Sequence, residues 1–363
     1  MLEVFDSGFA ADPWPVLDRL RRQGGVHRVR TPDGRPAWLL TRYADVRAGL
    51  LDQRLSADTH RAGGRDYRAA PTALDALLTA APEAQDRLRA TVAAEAAACT
   101  AEWGRRLPDL LENLSADLDS ADEVDLVRCL AEPLPDIVLA DLLGLAEPEY
   151  RKLLDETTAA PGAVDALLAV DRAEAPLGGL LAGDRIGPAE SAGLLCYLLS
   201  FWREVLADVV AGSVLTLLTR PDQIRVLRRG RNKPPMIDEL VRYVSPQVLA
   251  RPRYAAEDLT YGPYDIRAGD TVLLCLAAAH RDPAYFDSPG RVDLTRRRNR
   301  QLGFGHGAHA CLGVALARTI TAAVIEHLFT RWPATTLTVS PRDIEWRCGF
   351  QHRGPLTLPV RPA

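Results

Sequence analysis

The chemistry-bearing stretch of this 363-residue chain is Gly303-Phe304-Gly305-His306-Gly307-Ala308-His309-Ala310-Cys311-Leu312-Gly313. Glycine has no Cβ, so a loop this rich in it turns tightly and lets backbone N–H groups approach a ligand. Cys311 closes the loop where a helical pattern, Val314-Ala315-Leu316-Ala317-Arg318, begins. The unpaired N–H groups and the positive end of a helix dipole favour thiolate over thiol at such a position. A thiolate placed there, with His309 two residues before it, is equipped to ligate a metal centre. Gly313 lets the helix backbone lie close to something flat.

The same residues also bear on other chemistries. A lone cysteine at a helix start is also what a small core residue looks like. Gly303, Gly305 and Ala308 match G-x-G-x-x-A, but a dinucleotide fingerprint needs an apolar strand before it and a βαβ unit around it. Here arginines precede the stretch and too little chain follows. His306, His309 and Cys311 make half a zinc site, with no second ligand cluster nearby.

The elements that must position these residues are mostly helices. Apolar residues recur at three- and four-residue spacing over 74–118, 134–158, 189–219, 236–244 and 312–331, which predicts helices with one buried stripe. The segment 189–219 is the longest and most apolar, and is expected to run through the core. Strand signals are short: Ala37-Trp38-Leu39-Leu40, then Leu259 to Leu276 broken by Tyr261-Gly262-Pro263 and Ala268-Gly269-Asp270, then a final hairpin between Leu337 and Val360. No Pro-, Gly- or Ser-rich linker cuts the chain. The expected fold is mainly α with small β-sheets, a single domain over residues 1–363.

Composition narrows the function. Hydrophobic residues are 47% and charged residues 25%, an ordinary globular balance that excludes a disordered or fibrous chain. Forty-four basic residues against 48 acidic ones give a net charge of −4, which lacks the basic excess of a nucleic-acid binder. Six cysteines without a C-x-x-C pair argue against a disulfide framework or a structural zinc site. The opening MLEVFDSGFAADPWP has no basic n-region or apolar h-region, and no apolar run approaches the length of a membrane span. The expectation is a soluble, cytoplasmic protein without membrane or nucleic-acid partners.

Phe304-Gly-His-Gly-Ala-His309-Ala-Cys311-Leu-Gly313 resembles the haem-binding loop of the cytochrome P450 family, F-G-x-G-x-H-x-C-x-G, at every fixed position. The likeness extends to Glu239-Leu-Val-Arg242, similar to the family's E-x-x-R pair; Glu102-Trp-Gly-Arg105 fits that short motif by chance, but only the former sits just ahead of Tyr243 and Ser245-Pro246. Arg253-Tyr-Ala-Ala-Glu-Asp resembles the strand whose arginine meets a haem propionate. Ala277-Ala-Ala-His280-Arg281-Asp282-Pro283 resembles the Asn-Arg-Asp-Pro segment, with His for Asn. The resemblance covers about residues 5–150 and 186–363. It implies a P450-like fold and haem b (iron protoporphyrin IX) held by the Cys311 thiolate, a ligand that pushes electron density into the iron and favours O–O cleavage. Arg87, Arg253 and His309 would then donate to the propionates, as charge-assisted bonds require. Phe304, Gly305 and Gly313 would complete the cradle, and Glu239 with Arg242 would form a buried, structural ion pair.

Three segments depart from the family. In the helix that the resemblance sets over the haem, the Ala-Gly-x-acid-Thr patch aligns, through Arg220-Pro221-Asp222-Gln223, with Phe201-Trp202-Arg203-Glu204-Val205. Glu204 keeps the acid, but Trp202 replaces the glycine and Val205 the threonine whose hydroxyl relays protons; valine has none to donate. The stretch between Tyr150 and Ile186 is too short, and too broken by Pro161-Gly162, Ala175-Pro176 and Gly178-Gly179, for the family's substrate-covering helices. Gln85, in Pro82-Glu-Ala-Gln85-Asp-Arg87, stands where the family has a propionate-binding histidine.

The implied function is a haem-thiolate oxidoreductase that tailors a small-molecule or carrier-bound secondary metabolite. Two mechanisms fit. In one, electrons arrive from an acidic ferredoxin docked on the Arg296–Arg300 run, with Glu204 and water in place of the threonine relay. In the other, the chemistry is peroxide-driven or redox-neutral, with Glu204 or Arg203 as proton shuttle. The rival reading is a non-oxygenating P450-like protein that assists another biosynthetic enzyme. Trp202, Val205 and the short lid favour the rival; Cys311, Glu239, Arg242, Arg253 and His309 together oppose it.

Overall fold

The computed structural model describes residues 2–64, 66–69, 75–79, 82–119, 121–159, 177, 186–230, 232–347 and 350–363. The described residues are mainly helical, with three small sheets. They fall into two compact units: 1–70, 219–311 and 344–356 in the first; 71–218, 312–343 and 357–363 in the second. Each unit is assembled from three separated segments, so no linker marks a boundary in the sequence.

The first unit is built on a six-stranded sheet in the order Leu2–Glu3, Val26–Arg30, Pro36–Leu40, Thr271–Leu274, Arg253–Ala255, Leu55–Ser56. Pro36–Leu40 runs parallel to Thr271–Leu274 with Trp38 opposite Val272, and Arg253 faces Val272 from the antiparallel side. All four residues of Thr271–Leu274 are buried, and Val272-Leu273-Leu274 is the apolar run expected of an inner strand. The predicted breaks at 261–263 and 268–270 are real turns: Gly262 and Gly269 have φ of +59° and +86°. The helix Lys233–Val244 starts ahead of the apolar pattern because Pro234 and Pro235 sit in its first turn, where no N–H is missed.

The second unit packs the long helix Pro82–Ser115 against Val314–Arg331, and Arg203–Leu218 against both Val314–Arg331 and Pro133–Leu143. The helix predicted over 134–158 is two, Pro133–Leu143 and Glu147–Ala159. Gly144, at φ +67°, ends the first one, and the Leu145 N–H reaches back to the Ala140 carbonyl at 2.8 Å. The stretch predicted over 189–219 is also divided: Pro188–Tyr197 passes through a five-residue π-helical turn, Leu198–Trp202, into Arg203–Leu218, which is buried from Leu206 to Leu217. At the C-terminal end, Thr336–Leu337 pairs antiparallel with Pro359–Arg361, the expected hairpin base, and Val124–Asp125 adds a third strand. Among the described residues, no helix is long and apolar enough to cross a membrane.

Candidate haem-thiolate site

In the first unit, backbone bonds fold the loop before Cys311 upon itself. The Gly305 N–H donates to the Leu302 carbonyl at 2.8 Å, and the Cys311 N–H to the Phe304 carbonyl at 2.7 Å. Gly305 has φ +70°, and a Cβ on it would stand 3.0 Å from the His309 carbonyl oxygen, so glycine is required there on two counts. Gly307–His309 form a single 3₁₀ turn that delivers the chain to Cys311, itself half-buried. Among the described residues, no group of three or more His, Cys, Asp or Glu comes together as a metal site.

The loop is held from below by ion pairing. Arg242 meets Glu239 in a fork, Nε to Oε2 and Nη2 to Oε1, both 2.8 Å, with both side chains fully buried. Arg242 also donates to the carbonyls of His280 at 2.8 Å, Pro289 at 2.9 Å and Arg291 at 3.0 Å. Glu239 accepts further from the Asp293 N–H at 2.9 Å, Arg296 Nε at 3.0 Å and Asn299 Nδ2 at 3.2 Å. The two buried charges are thus bonded to each other and to the chain between His280 and Asn299, the condition under which a buried pair is tolerated. Arg296 is consumed inward by this network, whereas Arg297, Arg298 and Arg300 of the same run are exposed.

Arg253 lies on an inner strand and is only 3% exposed. Its Nη1 is buried without a hydrogen-bond partner among the described residues. Burial, helped by nearby Arg251, pulls its pKa down to about 10. A buried guanidinium with an idle donor requires an anion, and a carboxylate is its natural partner. The donor set therefore fits a haem: a sulfur for iron, a glycine-rich approach, and a buried cation for a propionate.

In the second unit, Trp202 ends the π-helical turn and is 4% exposed. Its indole lies on Gly313, where a Cβ would collide with Nε1. Gly313 therefore has no room for a side chain beside this ring. Its Nε1 is buried without a partner among the described residues. The same ring lines an apolar cavity of about 40 Å³, together with Val92, Cys99, Leu142, Leu194 and Leu316.

Arg203 is half-buried and committed to Asp136, through Nε to Oδ1 and through Nη2 to Oδ2 at 3.1 Å. The Tyr150 hydroxyl donates to the same carboxylate at 3.0 Å. Burial opposes the guanidinium charge, but the bonds to Asp136 outweigh it and raise the Arg203 pKa above its ordinary value. Nothing in the sequence signalled Asp136 and Tyr150 as its partners, because they come from other helices. Glu204 and Val205 are half-buried on the same helix. Arg87 is exposed on Pro82–Ser115, and Gln85 is half-buried there. The shortened stretch after Tyr150 lies outside the described residues, apart from the helix to Ala159 and from Leu177, whose N–H donates to the Leu142 carbonyl at 2.9 Å.

Residues 234–351 match the family model described as Cytochrome P450. The chain is 33% identical to cytochrome P450 107B1 of Saccharopolyspora erythraea over 99% of its own length and 98% of the relative's. It is 34% identical to the mycinamicin IV hydroxylase/epoxidase of Micromonospora griseorubida over 92% of each chain. Its fold is similar, at a TM-score of 0.84 and 26% identity, to that of P450BioI in complex with an acyl carrier protein ligated with hexadec-9Z-enoic acid; 98% of this chain and 100% of that one are covered.

Proposed function

The chain belongs to the cytochrome P450 family, and from that premise we propose that this haem-thiolate oxidoreductase tailors a small-molecule or carrier-bound secondary metabolite by an atypical, peroxide-fed route. When bound, the thiolate-ligated haem supplies oxidising power for an otherwise unreactive substrate. The protein's own part is to hold Cys311 as a thiolate at the loop's end, to neutralise propionates with Arg253 and His309, and to manage protons from the segment Phe201–Val205.

One observation carries the atypical route: Val205 offers no hydroxyl, and Arg203, the neighbouring ionisable group, is locked to Asp136. A guanidinium held charged by a carboxylate is a poor proton carrier, so proton transfer falls to Glu204. A peroxide brings its own protons and electrons and asks least of such a segment. Carrier-bound substrate is supported by P450BioI, whose complex contains a ligated acyl carrier protein. Arg297, Arg298 and Arg300, exposed where Arg296 is not, are the residues on which an acidic ferredoxin would dock.

The test compares turnover of one accepted substrate under peroxide with turnover under ferredoxin, reductase and NADPH. Peroxide should support the faster reaction in the native protein, and Glu204→Gln should slow it by about tenfold or more. The double substitution Trp202→Gly, Val205→Thr should move the preference toward the reductase system. Faster native turnover with ferredoxin than with peroxide would overturn the proposal. The auxiliary-protein reading draws on a specific contact, the Trp202 indole on Gly313; it gains if haem-loaded protein turns over nothing with either oxidant supply.

A further inference from the structure

We propose that His280 is a positioning residue for the thiolate loop, the link through which the Glu239–Arg242 pair sets where the chain enters Leu302–Cys311. The residue is fully buried at the end of the short helix Leu276–His280. Its Nε2 lies 2.8 Å from the Leu302 N–H, and its Nδ1 lies 2.9 Å from Ser245 Oγ. A backbone N–H only donates, so Nε2 must be the acceptor and Nδ1 must carry the ring proton. Ser245 Oγ takes that proton's bond and donates its own to the Arg242 carbonyl at 2.7 Å. The His280 carbonyl, in turn, accepts from Arg242 Nη1 at 2.8 Å. Arg242 therefore grips this histidine by backbone and by side chain, and the histidine passes the constraint to Leu302.

From Leu302 the path to the sulfur is short. The Leu302 carbonyl accepts from Gly305, and the Phe304 carbonyl from Cys311. Gly303 lies among Val241, Gln301 and the ring: a Cβ there would stand 2.8 Å from Val241 Cγ1, 3.0 Å from Gln301 Oε1 and 3.4 Å from His280 Cε1. Ser245 holds its place at a cost, with φ +48° at the end of Lys233–Val244. A non-glycine residue in that region is strained, and such strain persists where surrounding structure demands it. Burial first, and then the facing charges of Arg242 and Arg281, hold the imidazole neutral with a pKa of about 3. The ring is a fixed donor and acceptor rather than a switch.

The proposal rests on Cys311 as the iron ligand, and the test keeps the two apart. Holoprotein carrying His280→Phe, His280→Gln or Ser245→Ala is compared with the native protein by amide hydrogen exchange at Leu302 and Gly303, and by the reduced, carbon-monoxide-bound absorption band that distinguishes thiolate from thiol ligation. Phe keeps the ring shape without either bond; Gln offers an acceptor near the Nε2 position. His280→Phe should speed Leu302 exchange by about tenfold or more, the consequence of losing a buried hydrogen bond, and shift part of the band to the thiol form. His280→Gln should recover most of both readouts, with Ser245→Ala between them. If His280→Phe leaves both readouts native, or His280→Gln is as poor as His280→Phe, packing holds the loop and the proposal fails. Should His280→Phe not fold, native behaviour of Ser245→Ala in both readouts overturns it as well. A native protein without the thiolate band would sink the haem-ligand reading instead, with the exchange data still deciding the role of His280.

Discussion

The loop at Cys311 and the helical segment at Trp202 are built on opposite plans. The first keeps every fixed residue of its family's pattern and is restrained by a polar network: Glu239, Arg242, Arg296, Asn299, His280 and Ser245 are connected by hydrogen bonds, although the Asn299 Oδ1 is buried without a partner among the described residues. The second departs from the pattern at two positions and rests mainly on apolar packing, with an indole N–H that has no partner among the described residues and a single forked ion pair from Arg203 to Asp136. Polar networks fix geometry because every member loses if one moves. Apolar packing tolerates exchange of shape for similar shape. The contrast teaches where this protein was free to change. The loop that would hold the cofactor is restrained by many bonds, whereas the segment that departs from the pattern is restrained by few.

Removing one member of each region tests that contrast, and the largest effect belongs to the first. Arg242→Ala removes the forked bonds of a fully buried carboxylate and the donors of three carbonyls, so unfolding free energy should drop by about 3–5 kcal/mol, with loss of haem on chemical denaturation followed at the Soret band. A drop below ~1 kcal/mol would dissolve the distinction between the regions. Next in size, Arg253→Leu removes a buried cation whose Nη1 is idle. Haem affinity, read by titrating haem into stripped protein, should fall by about tenfold or more, while the haem-free protein loses no stability. A stability loss without an affinity loss would mean that Arg253 serves the sheet and not the cofactor. The smallest effect is expected in the helical segment: Asp136→Asn weakens a half-buried pair and should cost about 1 kcal/mol in thermal melts, leaving the carbon-monoxide band unmoved.

How much of this was legible in the chain depends on how local each feature is. Cys311, the loop glycines and the Glu239–Arg242 spacing are close in sequence, and their chemistry follows from residue type and separation alone. The helices read from periodicity stand within a turn of their expected places, but the breaks were not readable, and Trp14–Arg22, Tyr43–Leu51 and Pro221–Arg229 were not read as helices. Gly144 ends a helix because its backbone adopts a left-handed turn, and an apolar stripe does not register that. The π-helical turn at Leu198–Trp202 is likewise invisible to a pattern count. The arginine run looked uniform in sequence, yet one of its members, Arg296, is turned inward by Glu239, over fifty residues away along the chain. His280 could be noticed as a departure from the family's asparagine; its role could not be noticed, since Ser245 and Leu302 reach it from two other segments.

The sequence by itself determined the family, the cysteine that would hold the haem iron and the helical class, because short motifs and periodicity are properties of neighbours along the chain. Only the tertiary structure decided that Arg253 Nη1 is buried without a partner among the described residues, that Arg203 is locked to a carboxylate, and what lies on Gly313. Those outcomes depend on side chains from distant segments meeting where water is excluded, and there a donor with or without its acceptor is worth far more than its residue name discloses.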